Sequence, residues 1–172
     1  DLLTIYLGTE LMSISLYVMA GLNRSKPRSL EASAKYFVLG AFSSGILLYG
    51  ISLLYGLAGS TKLVSIAGAI GPRGADDPLV LIATILVAVG FGFKLAAVPF
   101  HMWTPDVYQG APTSVTAFMA VAAKAASFAA FIRVFVEGLG GLKADWSILF
   151  LLISIVTLLL GNFVAIVQTN IK

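Results

Sequence analysis

Long apolar stretches alternate with short polar ones along the whole chain. A helix needs about 20 apolar residues to cross a hydrocarbon core about 30 Å thick. Runs of this length predict five helices, over about residues 2–22, 29–58, 78–108, 113–137 and 146–168. Residues 36–61 carry no charged side chain, which makes the second helix the clearest of the five. The pattern predicts an all-α integral membrane protein in which residues 1–172 form a single transmembrane domain.

The third predicted helix is too long for one crossing. As one continuous helix, residues 79–110 would reach about 48 Å at about 1.5 Å per residue. Pro99 removes a hydrogen bond and clashes with the preceding turn, so we expect a break near Val98–Phe100 and a short second piece ending near Tyr108. Such irregular backbone persists at membrane depth only where protein or a water-filled cavity surrounds it. The glycine-rich residues 59–77 are expected to form a turn-rich connection.

Composition supports the membrane interpretation and excludes several function classes. The 172 residues are 59% hydrophobic and only 11% charged, with a mean hydropathy of +0.97, whereas soluble domains carry about 25% charged residues. A buried subunit of a soluble complex is the alternative, but apolar runs of this length argue against it. The absence of cysteine excludes disulfides and thiol chemistry, and a single histidine gives no basis for a metal site. The scattered basic residues, not interleaved with aromatics, exclude nucleic acid as a partner.

The basic residues predict how the chain is oriented. The loop after the first helix holds Arg24, Lys26 and Arg28 without an acid, and the positive-inside rule places it in the cytoplasm or its organellar equivalent. Five alternating crossings then place Lys172 on the same side. Since the chain starts without methionine and ends directly after an apolar run, we interpret it as a fragment.

Three ionisable residues fall near the middle of their predicted spans: Glu10, Lys94 and Lys124. A charge at the bilayer centre costs at least about 2.5–3.5 kcal/mol, so these groups must pair, face the bundle interior or reach water. Groups that exchange protons at membrane depth are what a proton path requires; the alternative is a helix-packing ion pair without transport function. We expect Glu10 to approach Lys94 more closely than any other acid does, and Lys94 and Lys124 to lie on one polar path, directly or through water.

Two further residues have competing interpretations. Lys35 lies one turn from Glu31, near a helix end, and either extends to the interface or takes part in transport. His101 follows Pro99 in the expected break, where it either shuttles protons or binds backbone carbonyls freed by the break. Arg133 and Glu137, four residues apart near a helix end, are expected to form an interfacial pair.

The sequence around the break is specific enough to suggest a family. Residues 93–112 read FKLAAVPFHMWTPDVYQGAP, which closely resembles the broken-helix signature of the antiporter-like subunits of respiratory complex I. Valine before the proline and the segment DVYQG resemble the subunit N branch, the bacterial counterpart of mitochondrial subunit two. The segments around Glu10 and Lys35 fit the same branch, so the resemblance covers essentially the whole chain.

The resemblance implies a fold and roles for particular residues. Members contain two inverted five-helix repeats, each with one broken helix, and this chain would supply the fifth to ninth helices. Glu10, Lys94 and Lys124 match the family's proton-relay glutamate and lysines, and Lys35 matches a lysine often implicated in transport. The lysine of the second repeat is absent, and Thr113-Ser114 replaces the common Thr-Pro or Ala-Pro.

The expected function is proton translocation in the membrane arm of NADH:quinone oxidoreductase, a translocase, in the bacterial inner membrane rather than the mitochondrial one. The resemblance implies no cofactor in this chain, and it implies as partners the other membrane-arm subunits, of the K and M types, together with lipid. A cation/proton antiporter subunit of the Mrp type, without a redox partner, and a purely structural membrane scaffold are the rival functions.

Overall fold

The computed structural model describes residues 1–168, and these are folded into helices without a β-strand. Five helical segments within that range are long and apolar enough to cross a membrane, which confirms the predicted architecture. Lys172, on which part of the orientation argument depends, lies outside the described residues. The helices are α1 (Leu2–Ala20), α2 (Pro27–Ala58), α3 (Leu63–Ile70), α4 (Pro78–Leu95), α5 (Thr104–Gly110), α6 (Thr113–Gly138) and α7 (Lys143–Ile166).

Helix boundaries follow from local chemistry at each end. The Asp1 carboxylate accepts hydrogen bonds from the N–H groups of Leu3 and Thr4 at 2.9 and 3.2 Å, and Asp77 caps α4 by accepting from Leu79 at 2.9 Å. Both contacts satisfy N–H groups that have no partner inside a helix. Pro27 and Pro78 open α2 and α4, the position where proline costs no hydrogen bond.

The connection after α2 contains a helix that the sequence interpretation missed. Gly59 ends α2 in the left-handed conformation, with φ of 63°, and α3 follows at Leu63. Leu63, Ile66 and Ile70 are buried, at the spacing of one helical face. This face packs against α2 and the end of α6, so α3 covers one end of the bundle. An amphipathic helix of eight residues is too short to be distinguished from a turn-rich connection by hydropathy.

The predicted break in the third span is confirmed. Helix α4 ends at Leu95, Ala96 adopts a left-handed φ of 56°, the Val98–Pro99 peptide bond is cis, and α5 begins only at Thr104. The residues of the predicted break, Val98–Phe100, therefore lie in the middle of the irregular segment.

Two side chains, one from the irregular segment itself and one from α7, satisfy backbone groups that the break exposes. The Trp103 indole N–H donates to the Phe93 carbonyl at 3.2 Å, and the Val98 N–H donates to the Thr157 hydroxyl at 3.0 Å. Trp103 is buried and stacks on Tyr36 with ring centroids 4.6 Å apart. The freed backbone groups at Phe93 and Val98 thus have protein partners, as irregular backbone at membrane depth requires.

The most extensive helix contact joins α2 and α4. A Cβ placed on Gly90 would lie 2.5 Å from the Leu47 Cβ, and one on Gly50 would lie 2.9 Å from the Leu86 Cβ. The lipid-facing and helix-facing surfaces of a membrane helix are equally apolar, so helix association depends on packing. Small residues favour it because they allow the two helices to approach closely. Helix α7, by contrast, has no buried residue within the described chain. An apolar cavity of about 740 Å³, without charged lining residues, lies between α7, α4 and α6, beside the contact of Phe150 with Phe131 at a ring-centroid distance of 4.8 Å.

Candidate functional site

The side chain of Lys94 is held where three helices meet. Lys94 lies in the last turn of α4, directly before the break. Its ammonium group donates to Glu10 Oε1 at 2.8 Å and to the hydroxyl oxygens of Ser13 at 2.7 Å and Ser44 at 3.2 Å. Glu10 and Ser13 lie one turn apart on α1, and Ser44 lies on α2. All three donors of the ammonium therefore have acceptors.

The Glu10–Lys94 pair is shielded from solvent on the Lys94 side. The Lys94 side chain is 5% exposed and the Glu10 side chain 18%. Ser44 also donates a short hydrogen bond to Glu10 Oε1, so the same carboxylate oxygen receives both a charged and a neutral donor. Glu10 is the acid that contacts Lys94 among residues 1–168, which confirms the predicted proximity.

Lys35 belongs to a different cluster, at the N-terminal end of α2. Its ammonium contacts Glu31 and Asp106, each at 2.7 Å, and its side chain is 43% exposed. Asp106 lies on α5, so this contact fastens the second half of the broken helix to α2. The structure does not bring Lys35 together with Glu10 and Lys94. The exposure of Lys35 and its two ion pairs favour the interpretation in which Lys35 extends to the membrane interface.

Lys124 lines a cavity with several polar side chains in its wall, on the other side of the break. The cavity has a volume of about 350 Å³ and lies between α5, α6 and α7, with His101, Thr104, Tyr108 and Thr157 also in its wall. The Lys124 ammonium lies 6.0 Å from the centre of the Tyr108 ring. Lys124 directly follows a π-helical turn at Met119–Ala123, a feature often found at functional sites.

Three buried polar atoms at this cavity have no hydrogen-bond partner among the described residues. They are His101 Nδ1, Thr104 Oγ1 and Tyr108 OH. An unpaired buried polar group costs about 1–3 kcal/mol. A cavity of about 350 Å³ is large enough to hold water, and these three atoms would give that water hydrogen-bond partners. His101 accordingly faces the Lys124 cavity. No contact between His101 and a freed backbone carbonyl is found in residues 1–168.

The two lysine sites share the break but are not directly joined. Ala96, two residues after Lys94, contributes to the wall of the Lys124 cavity. Within the described chain, no hydrogen bond or ion pair connects Lys94 to Lys124. The two lysines are therefore not in direct contact, and the predicted polar path, which can also run through water, stays a prediction.

Sequence reasoning missed the polar partners of the charged residues. Ser44 lies within the charge-free run of residues 36–61, where hydropathy indicates no polar contact, and Ser13 lies one turn from Glu10, a spacing that could have indicated it. The sequence did not indicate that Asp106 pairs with Lys35 or that Tyr108 lies beside Lys124. Arg133 and Glu137 form the expected exposed pair at 3.2 Å. No group of three or more acidic, histidine or cysteine side chains suited to a metal ion occurs in residues 1–168.

Comparison with known proteins identifies the family. The family described as the transmembrane part of NADH:quinone oxidoreductase and Mrp antiporters matches residues 1–172. The chain belongs to the NADH:quinone oxidoreductase/Mrp antiporter family. Subunit N 2 of NADH-quinone oxidoreductase from Solibacter usitatus is 54% identical over 172 residues, which is all of this chain and 35% of the relative. The corresponding subunit N from Trichlorobacter lovleyi is 53% identical over 173 residues, covering 36% of its length.

Solved structures of this family have the same fold. Respiratory complex I from Thermus thermophilus with bound aureothin contains a chain that is 47% identical, with a TM-score of 0.67 over 77% of this chain and 29% of that one. The Mrp complex from Dietzia contains one that is 27% identical, with a TM-score of 0.68 over 80% and 26%. The family relationship and the apolar helices place the chain as a multi-pass protein of the bacterial inner membrane. The chain spans about a third of the length of the curated relatives it matches.

Proposed function

We propose that the chain is part of a proton-translocating membrane subunit of NADH:quinone oxidoreductase, and that Glu10, Lys94 and Lys124 carry protons within it. The observation that carries this proposal is the shielded Glu10–Lys94 pair at the end of a broken helix. The 54% identity between this chain and a subunit N of NADH-quinone oxidoreductase supports this redox-linked enzyme as the complex to which the full-length parent subunit belongs. The chain would assemble with the other membrane-arm subunits, including K-type and M-type neighbours, and would itself bind no redox cofactor.

The Glu10–Lys94 pair supplies an energy of the size that transport needs. At 2.8 Å and an effective dielectric constant of about 20, the attraction is on the order of 6 kcal/mol before desolvation is counted. Moving one charge across about 100 mV costs about 2.3 kcal/mol. Forming or separating this pair could therefore drive a proton on or off Lys94. Ser13 and Ser44 hold the ammonium group in place in the paired state.

The cavity beside Lys124 gives the second half of the proposed path. A proton hop requires a donor and an acceptor within hydrogen-bond reach or one water apart. Water in the cavity of about 350 Å³ would contact His101, Thr104 and Tyr108, whose buried atoms have no protein partner among the described residues. In this mechanism the break lets a change at Lys94 move Ala96 and the cavity wall together, which couples the two lysines. Lys35, fastened between Glu31 and Asp106, would hold α5 in place rather than transfer protons.

The proposal is tested in the full-length parent subunit within its assembled complex. Lys94→Met and Lys124→Met each keep an apolar stem and remove the titratable group, so proton pumping by membrane vesicles should be lost and quinone reduction depressed. Arg133→Gln, which breaks the exposed Arg133–Glu137 pair, is the control and should pump at close to the wild-type rate. Complex assembly is measured in every membrane preparation. If either lysine variant assembles and pumps normally, that lysine has only a structural role.

A cation/proton antiporter is the second candidate, because the Mrp complex of Dietzia shares the fold at a TM-score of 0.68. Its identity of 27% is about half that to the subunit N relatives, which favours the redox-linked function. The redox-linked subunit and the antiporter differ in the energy source that drives proton movement. NADH-dependent pumping that is independent of sodium supports the first, whereas sodium-dependent proton exchange without NADH supports the antiporter.

A further inference from the structure

A further cavity, at one end of the bundle, is lined by the basic residues Lys26 and Arg28 and is called the basic cavity below. Its volume is about 370 Å³, within the range of about 300–1,000 Å³ that is usual for small-molecule sites. One wall is formed by the loop between α1 and α2, which contributes Asn23 and Lys26, and by the first turn of α2, which contributes Arg28. The opposite wall is formed by the end of α5, which contributes Gln109, and by the start of α6, which contributes Thr113.

The lining of the cavity carries a net positive charge. Lys26 and Arg28 contribute two cations, and no acid is part of the lining. The side chains of Lys26 and Arg28 make no ion pair in the described part of the chain, in contrast to Arg73, which pairs with Asp77 at 3.1 Å. The neutral donors Asn23, Gln109 and Thr113 could hydrogen-bond to the oxygens of an anion.

Two acids lie in the neighbouring cavity, where Arg28 also contributes to the wall. These are Glu31 and Asp106, and both contact the ammonium group of Lys35 at 2.7 Å. Lys35 therefore offsets part of their charge, and Lys26 lines only the basic cavity, which has no acid in its lining.

The basic cavity is preformed by tight backbone packing. A Cβ on Gly110 would lie 2.5 Å from the Arg28 carbonyl oxygen and 2.6 Å from the Ala32 Cβ, so α5 rests directly on the first turn of α2. The Lys35–Asp106 contact fastens the same two helices. Arg28 and Gln109 therefore stand on packed helix ends, whereas Asn23 and Lys26 stand on the short loop that joins α1 to α2.

The position of the cavity decides which anion it suits. It lies where α1 ends and where α2 and α6 begin, which for membrane-crossing helices is the level of the lipid headgroups. Leu22 and Leu30 flank Lys26 in sequence and are 60% and 48% exposed, so apolar surface is available beside the charge. Basic cavities between membrane helices at this level suit phospholipid headgroups. We propose that this cavity binds the phosphate group of an anionic phospholipid, with Lys26 and Arg28 as the charged contacts.

The test uses the full-length parent subunit in its assembled complex, in lipid nanodiscs of phosphatidylcholine with a small fraction of phosphatidylglycerol. Native mass spectrometry measures how much phosphatidylglycerol stays bound. Replacing Lys26 and Arg28 by glutamine should weaken binding about 30-fold, which corresponds to about 1 kcal/mol for each basic residue. The matched control replaces Lys62 and Arg73 by glutamine in another loop and should bind like the wild type.

Lys26 and Arg28 also contribute to how the chain is oriented in the membrane, so a second variant leaves both charges in place. Gln109→Leu removes one hydrogen-bond donor and leaves all charges in place; it should weaken binding about tenfold, as expected for one hydrogen bond to a charged group. Inorganic phosphate added to nanodiscs of phosphatidylcholine alone should neither bind nor compete, because it lacks the acyl chains.

Three results would overturn the proposal. The first is wild-type retention of phosphatidylglycerol in both the double variant and Gln109→Leu. The second is displacement of the lipid by inorganic phosphate, which would assign the cavity to a soluble anion. The third is an acidic segment of a neighbouring subunit occupying the cavity in the intact complex.

Discussion

The Glu10–Lys94 pair allows a structural role to be separated from a transport role. In Glu10→Gln, the amide oxygen can still accept hydrogen bonds from Lys94 and Ser44, so the hydrogen-bond geometry is largely kept. What is lost is the negative charge beside an ammonium group that is only 5% exposed. The variant therefore leaves a buried lysine without its counter-charge.

The size of the effect follows from this burial. Removing one partner of a buried ion pair costs about 3–5 kcal/mol. Because the Glu10 side chain is 18% exposed, some solvent reaches the site and the lower end of that range applies. A loss of about 3 kcal/mol shifts a folding equilibrium more than 100-fold, against a total stability of about 5–15 kcal/mol for a domain. Glu10→Gln should therefore reduce the amount of assembled complex.

Neutralising the second partner should reverse that loss. The double variant Glu10→Gln with Lys94→Met has no buried charge left to compensate, and replacing a buried ion pair by neutral groups is often close to neutral for stability. We expect the double variant to assemble at close to the wild-type level. It should nevertheless fail to pump, because it has no titratable group at either position.

The assay measures two quantities in the same membranes: the amount of assembled parent complex, by native gel electrophoresis, and NADH-driven proton pumping per assembled complex. The expected order of assembly is wild type, then the double variant, then Glu10→Gln. If the double variant assembles as poorly as Glu10→Gln, the unpaired lysine is not the cause. If the double variant assembles and pumps normally, the relay role of this pair is refuted.

Two further predictions concern stability. Gly90→Ala should destabilise the contact between α2 and α4 by about 1–3 kcal/mol, because the new Cβ would lie 2.5 Å from the Leu47 Cβ; thermal denaturation of the purified parent complex measures this, and Gly8→Ala, with no atom within 4 Å of its Cβ, is the control that should change little. The Leu79 N–H and the Arg73 guanidinium lower the pKa of the Asp77 carboxyl below its ordinary value of 3.8. Its stabilising charge is therefore complete above about pH 4 and is lost as the pH falls through the lowered pKa. Asp77→Asn keeps the helix cap but not the charge, so its melting temperature should approach that of the wild type in acid, and a difference that stays constant with pH would contradict this.

Several features of the protein could be predicted from the sequence because each depends on a short stretch of chain. A charge-free run such as residues 36–61 is stable in lipid only as a helix that satisfies its own backbone, and this fixes the number of spans. Pro99 cannot continue a hydrogen-bond ladder, and this fixes the place of the break. The high cost of unpaired charge at membrane depth made Glu10 the predicted partner of Lys94, as is observed at 2.8 Å.

Other features were decided only by the tertiary structure. The rotation and depth of each helix place Ser13 and Ser44 at the Lys94 ammonium, Asp106 at Lys35, and Tyr108 beside Lys124. Hydropathy does not encode these settings, because in a membrane the lipid-facing and helix-facing sides of a span are similarly apolar. The helix α3 and the π-helical turn before Lys124 also depend on packing against other segments. The charged residues could thus be found from the sequence, whereas their polar partners, and the separation of the two lysine sites by the break, required the assembled bundle.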